Sequence, residues 1–412
     1  MSTSRQKCVL LILDGLGDLP VSLLNGRTPL EAANTPVLDR LAGLGLYGLV
    51  DPIRPGEIPN THSGCGALLG ALPAQLSNLK RGPVEAAGAG LTLQHGEVAV
   101  RANFATLENQ QGDLMVVDRR AGRISEDTAE LAAFLKTVDL GDGVTARLQP
   151  TDQHRCVLVL SGPGLDPRIS DTDPGDGDIP TLIRPCQPLD AGAQLTAEKI
   201  NLFIDTAHRR LSSHPVNQER IKVGKLPANG VITRGAGVGF RLDNVVRDCG
   251  INPAVVAGCN TVIGLSRTLG FEVKTDPRFT AASNTDLLAK METAAVALED
   301  HDLVYVHIKA PDLFAHDHQP ENKRDFLELC DEALELLEQA GVMIAVAADH
   351  STDSNSGAHT ADPVPALLYA PASSGSGNQA RVNFGEEACS MGNMPRQSSH
   401  EFLLRLLDLM AP

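Results

Sequence analysis

Three apolar runs, far apart in the chain, share one pattern: each leads into an aspartate. Residues 8–14, CVLLILD, are continuously apolar until Asp14 and Gly15 close them. The run in residues 303–312, LVYVHIKAPD, ends near Asp312, and that in residues 342–350, VMIAVAADH, ends at Asp349 and His350. Unbroken apolar runs of this kind predict strands buried on both faces of a parallel sheet. From Asn322 to Ala340, Phe326, Leu327, Leu334 and Leu337 alternate with acids at helical spacing, which completes a β-α-β pattern. Ligands of open α/β sheets bind beyond the carboxyl ends of the strands, so the three aspartates are expected to converge.

Converging anions repel unless cations hold them. Histidines accompany two of the carboxylates: His350 follows Asp349 directly, and Asp312 and His316 stand four apart, on one face of a helical turn. His359 follows nine residues after His350. Three Asp and three His suffice for two metal ions, with positions left for a substrate and a nucleophile. Taken singly, each Asp reads equally as a cap and each His as a satisfied surface group. The set of six carries the metal reading.

A two-metal centre needs a group to act with. In residues 55–70, PGEIPNTHSGCGALLG, a Pro/Gly-rich turn leads into Thr61 and a small-residue helix start. A hydroxyl there can lose its proton to metal contact while backbone N–H groups face an anion. An N-cap role for Thr61 is the plainer alternative, and Ser63 and Cys65 compete as nucleophiles. RGAGVGF (234–240) lacks the dinucleotide-binding glycine spacing.

The ends of the chain carry the α/β pattern and the middle does not. In NTPVLDRLAGLG (34–45), Thr35 can cap a helix that Pro36 begins and Gly43 or Gly45 ends. Residues 74–100, rich in Gly and Ala, read as a hinge or crossover. From about 101 to 235 short polar strands are expected, with an Arg-rich turn, DRRAGRIS, and a loop, DTDPGDGDIP. Residues 251–273 return to apolar α/β patterning. The expected division is a discontinuous core, 1–75 and 245–412, around an inserted substrate-binding or lid domain, 76–244. A length of 412 residues fits more than one core.

Charge and cysteines narrow the partners. With 51 Asp plus Glu against 35 Lys plus Arg, the net charge of −16 argues against nucleic acid or an anionic membrane surface, which need a basic footprint. The apolar run near the N-terminus is too short to span a bilayer. The 8 cysteines form no CxxC pair and read as reduced, buried residues of a cytoplasmic protein. Oligomeric state is not written in the sequence.

Successive stretches carry a family resemblance: LDGLGD, TPLEAANTPVLDRLAGLG, RGPVEAAGAG, RANFAT, DRRAGRIS, HRCVLVLSG, ISDTDP, HIKAPDLFAHD, ADHSTD and AHTADPVP. Over nearly its whole length the chain resembles the archaeal-type 2,3-bisphosphoglycerate-independent phosphoglycerate mutases of the alkaline phosphatase superfamily. The resemblance implies an α/β fold, an alkaline-phosphatase-like core with a mainly parallel sheet between helices, plus a smaller inserted α+β domain. It implies one divalent ion on Asp14, Asp349, His350 and Thr61, and another on Asp312, His316 and His359. Mn²⁺ is the first choice, with Zn²⁺, Co²⁺ or Mg²⁺ as alternatives, because mixed Asp/His ligation does not select sharply. No 2,3-bisphosphoglycerate is expected. The nucleophile loop departs from the family's Ser-Asp-Thr-Ala-His run: Thr61, His62 and Cys65 align with its Ser, Asp and final His.

The implied activity is interconversion of 3-phosphoglycerate and 2-phosphoglycerate through a phospho-enzyme, an isomerase reaction of glycolysis and gluconeogenesis. The partner is a small phosphorylated metabolite. Candidate substrate contacts are Asn103, Arg119, Arg120, Arg123, Asp171 and Arg234 in the insert, and Lys309 beside the metals. Arginine suits the task because its planar fork meets carboxylate or phosphate at two points. A phosphatase, phosphodiesterase or phosphotransferase, for example homoserine-kinase-like, could use the same centre on another metabolite. A non-catalytic metal-binding protein would lack a ligand or nucleophile, and none is missing here.

Overall fold

The computed structural model describes residues 5–76, 79–175, 179–240, 242–371 and 382–411. The chain divides into two compact units, one formed by Met1–Leu79 with Leu242–Pro412, the other by Lys80–Arg241.

The first unit is built on an eight-stranded sheet, in the order Glu272–Lys274, Pro253–Val256, Leu303–Ile308, Cys8–Leu13, Met343–Ala347, Val364–Tyr369, Leu46–Asp51 and Gln397–Ser398. Every neighbouring pair is parallel except those made by Val364–Tyr369, which runs against both its neighbours. The expected mainly parallel sheet is therefore present. All residues of the three central strands are buried, as helices on both faces of a sheet require. Helix Pro320–Gln339 lays Phe326, Leu327, Leu334 and Leu337 into the core.

Helix Pro36–Leu44 starts and ends as expected, but the hydroxyl of Thr35 is not its cap. The Asp331 carboxylate takes that role, accepting from the backbone N–H groups of Val37 and Leu38 at 3.0 and 2.8 Å. A tertiary partner nearly 300 positions away cannot be read from local spacing.

The second unit is an antiparallel sheet with helices, ordered Val138–Asp139, Thr145–Pro150, Arg155–Ser161, Val98–Gln110, Asp113–Asp118 and Thr181–Leu182, with Gly230–Gly237 also pairing with Val98–Gln110. Its middle mixes the expected short, partly exposed strands, such as Asp113–Asp118 and Thr145–Pro150, with longer buried ones. Val98–Gln110 is 13 residues long with its first ten buried, and helix Gln194–Ser212 packs Ile200, Phe203, Ile204 and Leu211 onto one sheet face. The stretch read as a hinge contains helix Arg81–Gly88, whose Ala86 packs with Ala99, Val157 and Val159. In the loop DTDPGDGDIP, residues 176–178 lie outside the described residues. Among the described residues, no helix is long and apolar enough to cross a membrane.

Candidate active site

Strand register brings the carboxylates together. Cys8 pairs with both Leu303 and Met343, so the three central strands begin level, and Leu13 pairs with Ile308 where they end. Asp14 is the next residue after Leu13, and its N–H donates to the Ile308 carbonyl at 2.9 Å. Lys309 follows Ile308 and Asp349 lies two past Ala347, so all three emerge at one edge. Asp312 arrives on the first turn of helix Ala310–His316, which also carries His316. Hairpin Ser351–Asp353 and Ala358–Thr360 returns His359 to the same edge.

Among the described residues two groups of donor atoms result, each with all its atoms within 4.8 Å of one another: Asp312 with His316 and His359, and Asp14 with Asp312 and His350. His350 Nε2 is a hub, 3.3 Å from Asp14 Oδ1, 3.3 Å from Asp349 Oδ2 and 3.4 Å from Thr61 Oγ1. Asp312 Oδ1 stands 3.2 Å from His316 Nε2 and 3.4 Å from His359 Nε2. Lys309 Nζ closes the arrangement, at 2.8 Å from Asp14, 2.7 Å from Asp312 and 3.1 Å from Thr61 Oγ1.

Burial and mutual repulsion set the charge states. Burial pushes Asp14 and Asp312 upward, but Lys309 and the neighbouring imidazoles override it and hold both carboxyls well below the usual range. Asp349 goes the other way: burial and then the Asp14 charge raise it well above its ordinary value. Burial lowers Lys309, yet Asp14, Asp312 and Asp349 outweigh that and keep its ammonium charged. Even with Asp349 neutral, the Asp14 and Asp312 carboxylates against one lysine leave an anionic excess, and oxygen with imidazole nitrogen is a donor set that divalent cations accept.

Thr61 opens helix Thr61–Leu68, but it is not the cap. Asn60 is: its side chain accepts from the Ser63 N–H at 3.3 Å, while the Asn60 N–H donates to Ser63 Oγ at 3.1 Å. Both Thr61's capping alternative and Ser63 as nucleophile are thereby accounted for, and Thr61 Oγ1 faces Lys309 and His350. The helix comes this close because Gly64 lacks a side chain; a Cβ there would overlap the Asp349 carbonyl. Cys65 is fully buried, its Sγ 3.5 Å from Asp349 Oδ2, and burial raises its thiol well above its ordinary value. It is not an activated thiolate.

In the second unit, strand alternation sorts the candidates. Val98, Val100, Ala102 and Phe104 face the helix-covered core, so Arg101 and Asn103 face the opposite side. Arg234 pairs with Arg101 and Arg155 pairs with Asn103, on that same side. His154 is lowered to about 3 by burial and then by Arg155, Arg101, Arg120 and Arg234. Arg81 is lowered to about 10 by burial and the Arg101 charge. Arg119 is committed to Asp173 through two contacts of 2.7 and 2.9 Å, and Asp171 accepts from the Gly235 N–H at 2.8 Å. Arg123 sits exposed on the same turn as Arg119, with φ of 57°. Buried Asn103 Oδ1, His154 Nδ1 and Arg155 Nε have no hydrogen-bond partner among the described residues.

Sequence reading missed several contributors. His307 Nε2 lies 2.9 Å from Asp14 Oδ2, and Thr352 Oγ1 donates to Asp312 Oδ1 at 2.8 Å. Behind them Lys323 and Asp18, both fully buried, pair at 2.8 Å. In the second unit Arg81 stands close enough to feel the charges of Arg101 and Arg155. The available signals were polar side chains inside otherwise apolar strands: His307 in LVYVHI, Arg101 and Asn103 in VAVRAN.

A family model for 2,3-bisphosphoglycerate-independent phosphoglycerate mutase matches residues 42–217. The chain is 41% identical over 374 residues to a protein of that name from Methanopyrus kandleri, covering 89% of this chain and 88% of the relative. A counterpart from Archaeoglobus fulgidus is also 41% identical, over 87% of this chain and 88% of its own length. Among solved structures, a Pyrococcus horikoshii protein superposes with a TM-score of 0.80 at 30% identity, covering 99% of this chain and 98% of that one. The cofactor-independent phosphoglycerate mutase of Thermoplasma acidophilum gives 0.66 at 33% identity, covering 98% of this chain and all of that one. The chain belongs to the 2,3-bisphosphoglycerate-independent phosphoglycerate mutase family.

Proposed function

We propose that this protein interconverts 3-phosphoglycerate and 2-phosphoglycerate through a phosphothreonine at residue 61, without 2,3-bisphosphoglycerate. The observation that carries the reading is the position of Thr61 Oγ1, 3.1 Å from Lys309 Nζ and 3.4 Å from His350 Nε2.

Asp14, Asp349, His350 and Thr61 would hold one divalent ion and Asp312, His316 and His359 the other, with Mn²⁺ preferred. Bound cations would ease ionisation of the Thr61 hydroxyl and neutralise phosphoryl oxygens. The residues do the rest. Thr61 Oγ attacks phosphorus, the bond from phosphorus to the 3-oxygen breaks, and the proton lost by Thr61 ends on that oxygen. Glycerate stays bound and presents its 2-hydroxyl, which takes the phosphoryl group and returns a proton to Thr61. Lys309 places a fixed positive charge beside the oxygen that loses its proton. Water reaching the phosphothreonine would divert the reaction to hydrolysis, so turnover as a mutase requires its exclusion.

Substrate binding is assigned to Lys309 in the first unit and to Asn103, Arg119, Arg120, Arg123, Asp171 and Arg234 in the second. Arg81, Arg101, His154 and Arg155 extend that set. Arg119 is held by its pair with Asp173. Eight cysteines, none of them in a disulfide among the described residues, support a cytoplasmic setting.

A second reading, release of phosphate or transfer to another small metabolite, is favoured by Thr61, His62 and Cys65, which depart from the family's nucleophile run. An enolase-coupled assay of the Mn²⁺-loaded protein with 3-phosphoglycerate, beside a phosphate-release assay, decides between them. Formation of 2-phosphoglycerate is the expected result; free phosphate without it would leave only the second reading.

A further inference from the structure

The two oxygens of Asp14 have different company. Oδ1 faces Lys309 Nζ at 2.8 Å and His350 Nε2 at 3.3 Å, on the side of the other acidic ligands. Oδ2 points back into the sheet and meets His307 Nε2 at 2.9 Å. An ionised carboxylate only accepts hydrogen bonds, so the hydrogen lies on His307 Nε2.

His307 is an imidazole inside a strand that is otherwise apolar and wholly buried, and it is itself 1% exposed. Its place follows from register: Ile12 pairs with His307, two positions before Asp14. The strand end is fastened from behind by Lys290 of helix Leu287–Ala297. The Lys290 ammonium, also 1% exposed, donates to the His307 carbonyl at 2.8 Å. Placing an ammonium and an imidazole in a core is costly unless they are hydrogen-bonded, and both bonds here converge on how Asp14 is presented.

The other two carboxylates are held differently. Asp312 shares Oδ1 between the Thr352 hydroxyl and the imidazoles, and Asp349 has the Gly15 N–H at 3.3 Å and the weak thiol donor of Cys65 at 3.5 Å. Among these three, Asp14 has an imidazole donor on the oxygen turned away from the centre.

We infer that His307 is a positioning residue: by occupying Asp14 Oδ2 it leaves Oδ1 as the single oxygen offered to a divalent cation, and so sets the affinity of one of the two metal positions. This rests on the two-metal reading above. An outer donor to a metal ligand is commonly worth about 10–100-fold in metal affinity.

The test is Mn²⁺ binding to the metal-stripped full chain, followed by calorimetry and by electron paramagnetic resonance, in wild type, His307→Leu and His307→Gln. Wild type is expected to bind two Mn²⁺. His307→Leu should weaken one position by about 10–100-fold and leave the other, on Asp312, His316 and His359, near its original affinity. His307→Gln, whose amide can still donate to Oδ2, should recover most of the loss. If His307→Leu does not fold, His307→Asn replaces it, since its shorter amide falls short of Asp14 and should show the same one-position loss. Unchanged affinities, or equal losses at both positions, would overturn the inference while leaving two metals in place. A wild type that binds fewer than two Mn²⁺ would overturn the two-metal reading and the inference with it.

Discussion

Lys309 Nζ donates to Thr61 Oγ1 at 3.1 Å while pairing with Asp14 and Asp312 at 2.8 and 2.7 Å. One ammonium therefore serves both the Thr61 hydroxyl and the carboxylates around it. Replacing it with a neutral side chain of similar length removes the ammonium that both Asp14 and Asp312 pair with. Lys309→Met should destabilise the metal-free protein by about 3–5 kcal/mol, the usual cost of breaking a buried pair. Added Mn²⁺ should restore much of that loss. Urea titrations with and without metal measure both effects, and an apo stability equal to wild type would contradict this role.

Lys323 and Asp18 form an ion pair with both side chains fully buried. Asp18 also accepts from the Ser354 N–H at 2.9 Å and the Ser354 hydroxyl at 2.6 Å, so the pair ties the loop after Asp14 to the hairpin that carries His359. Lys323→Met should cost about 3–5 kcal/mol in urea unfolding. Adding Asp18→Asn should recover part of it, because the stranded charge is gone.

Glu386 accepts from the Thr28 hydroxyl at 2.6 Å and the Asp18 N–H at 3.1 Å. Burial, with Glu31 nearby, raises its carboxyl from the ordinary 4.5 to about 7. A carboxyl raised in the folded state contributes stability that is complete below the unfolded value and lost as pH climbs through the folded one. Wild-type stability relative to Glu386→Gln should therefore fall between pH 4.5 and about 7. The amide does not titrate; its oxygen can accept from the Asp18 N–H while its NH2 donates to the Thr28 hydroxyl oxygen, and the change in the difference is on the order of 2 kcal/mol after allowing for partial exposure. Parallel pH profiles for the two proteins would contradict it.

Arg101 and Arg155 lie on the sheet face opposite the core of the second unit, next to His154. As substrate-binding groups, each should raise the KM for 3-phosphoglycerate when changed to Ala, by about 10–100-fold for a charge-assisted bond. The metal content of the protein should stay at the wild-type value. A lowered kcat with unchanged KM would place them in the structure of the unit rather than in substrate recognition.

How far the chain could be read beforehand depended on whether the cause was local. CVLLILD, LVYVHI and MIAVA announce buried parallel strands because both faces are apolar, and the strand-end position of Asp14 and Asp349 follows from sheet geometry. Asp312, His316 and His359 were legible as a set because a helical turn and a tight hairpin are local structures. What stayed hidden depends on partners distant in sequence. Asp331 rather than Thr35 holds the start of helix Pro36–Leu44, and Asn60 rather than Thr61 caps the next. His307 looked like one more strand residue until register set it two positions before Asp14. The length of Val98–Gln110 was masked by Arg101 and Asn103, which interrupt its apolar pattern on the face turned away from the core.

The central claim is that the phosphoryl group passes through Thr61. Rapid acid quenching of the Mn²⁺-loaded protein during turnover with 3-phosphoglycerate, followed by peptide mass spectrometry, tests it directly. The account predicts phosphate on the peptide at Thr61 in wild type, and in Thr61→Ala no phosphopeptide and a loss of at least about 10³-fold in 2-phosphoglycerate formation. Phosphate on Ser63 or another residue, or undiminished turnover in Thr61→Ala, would contradict it.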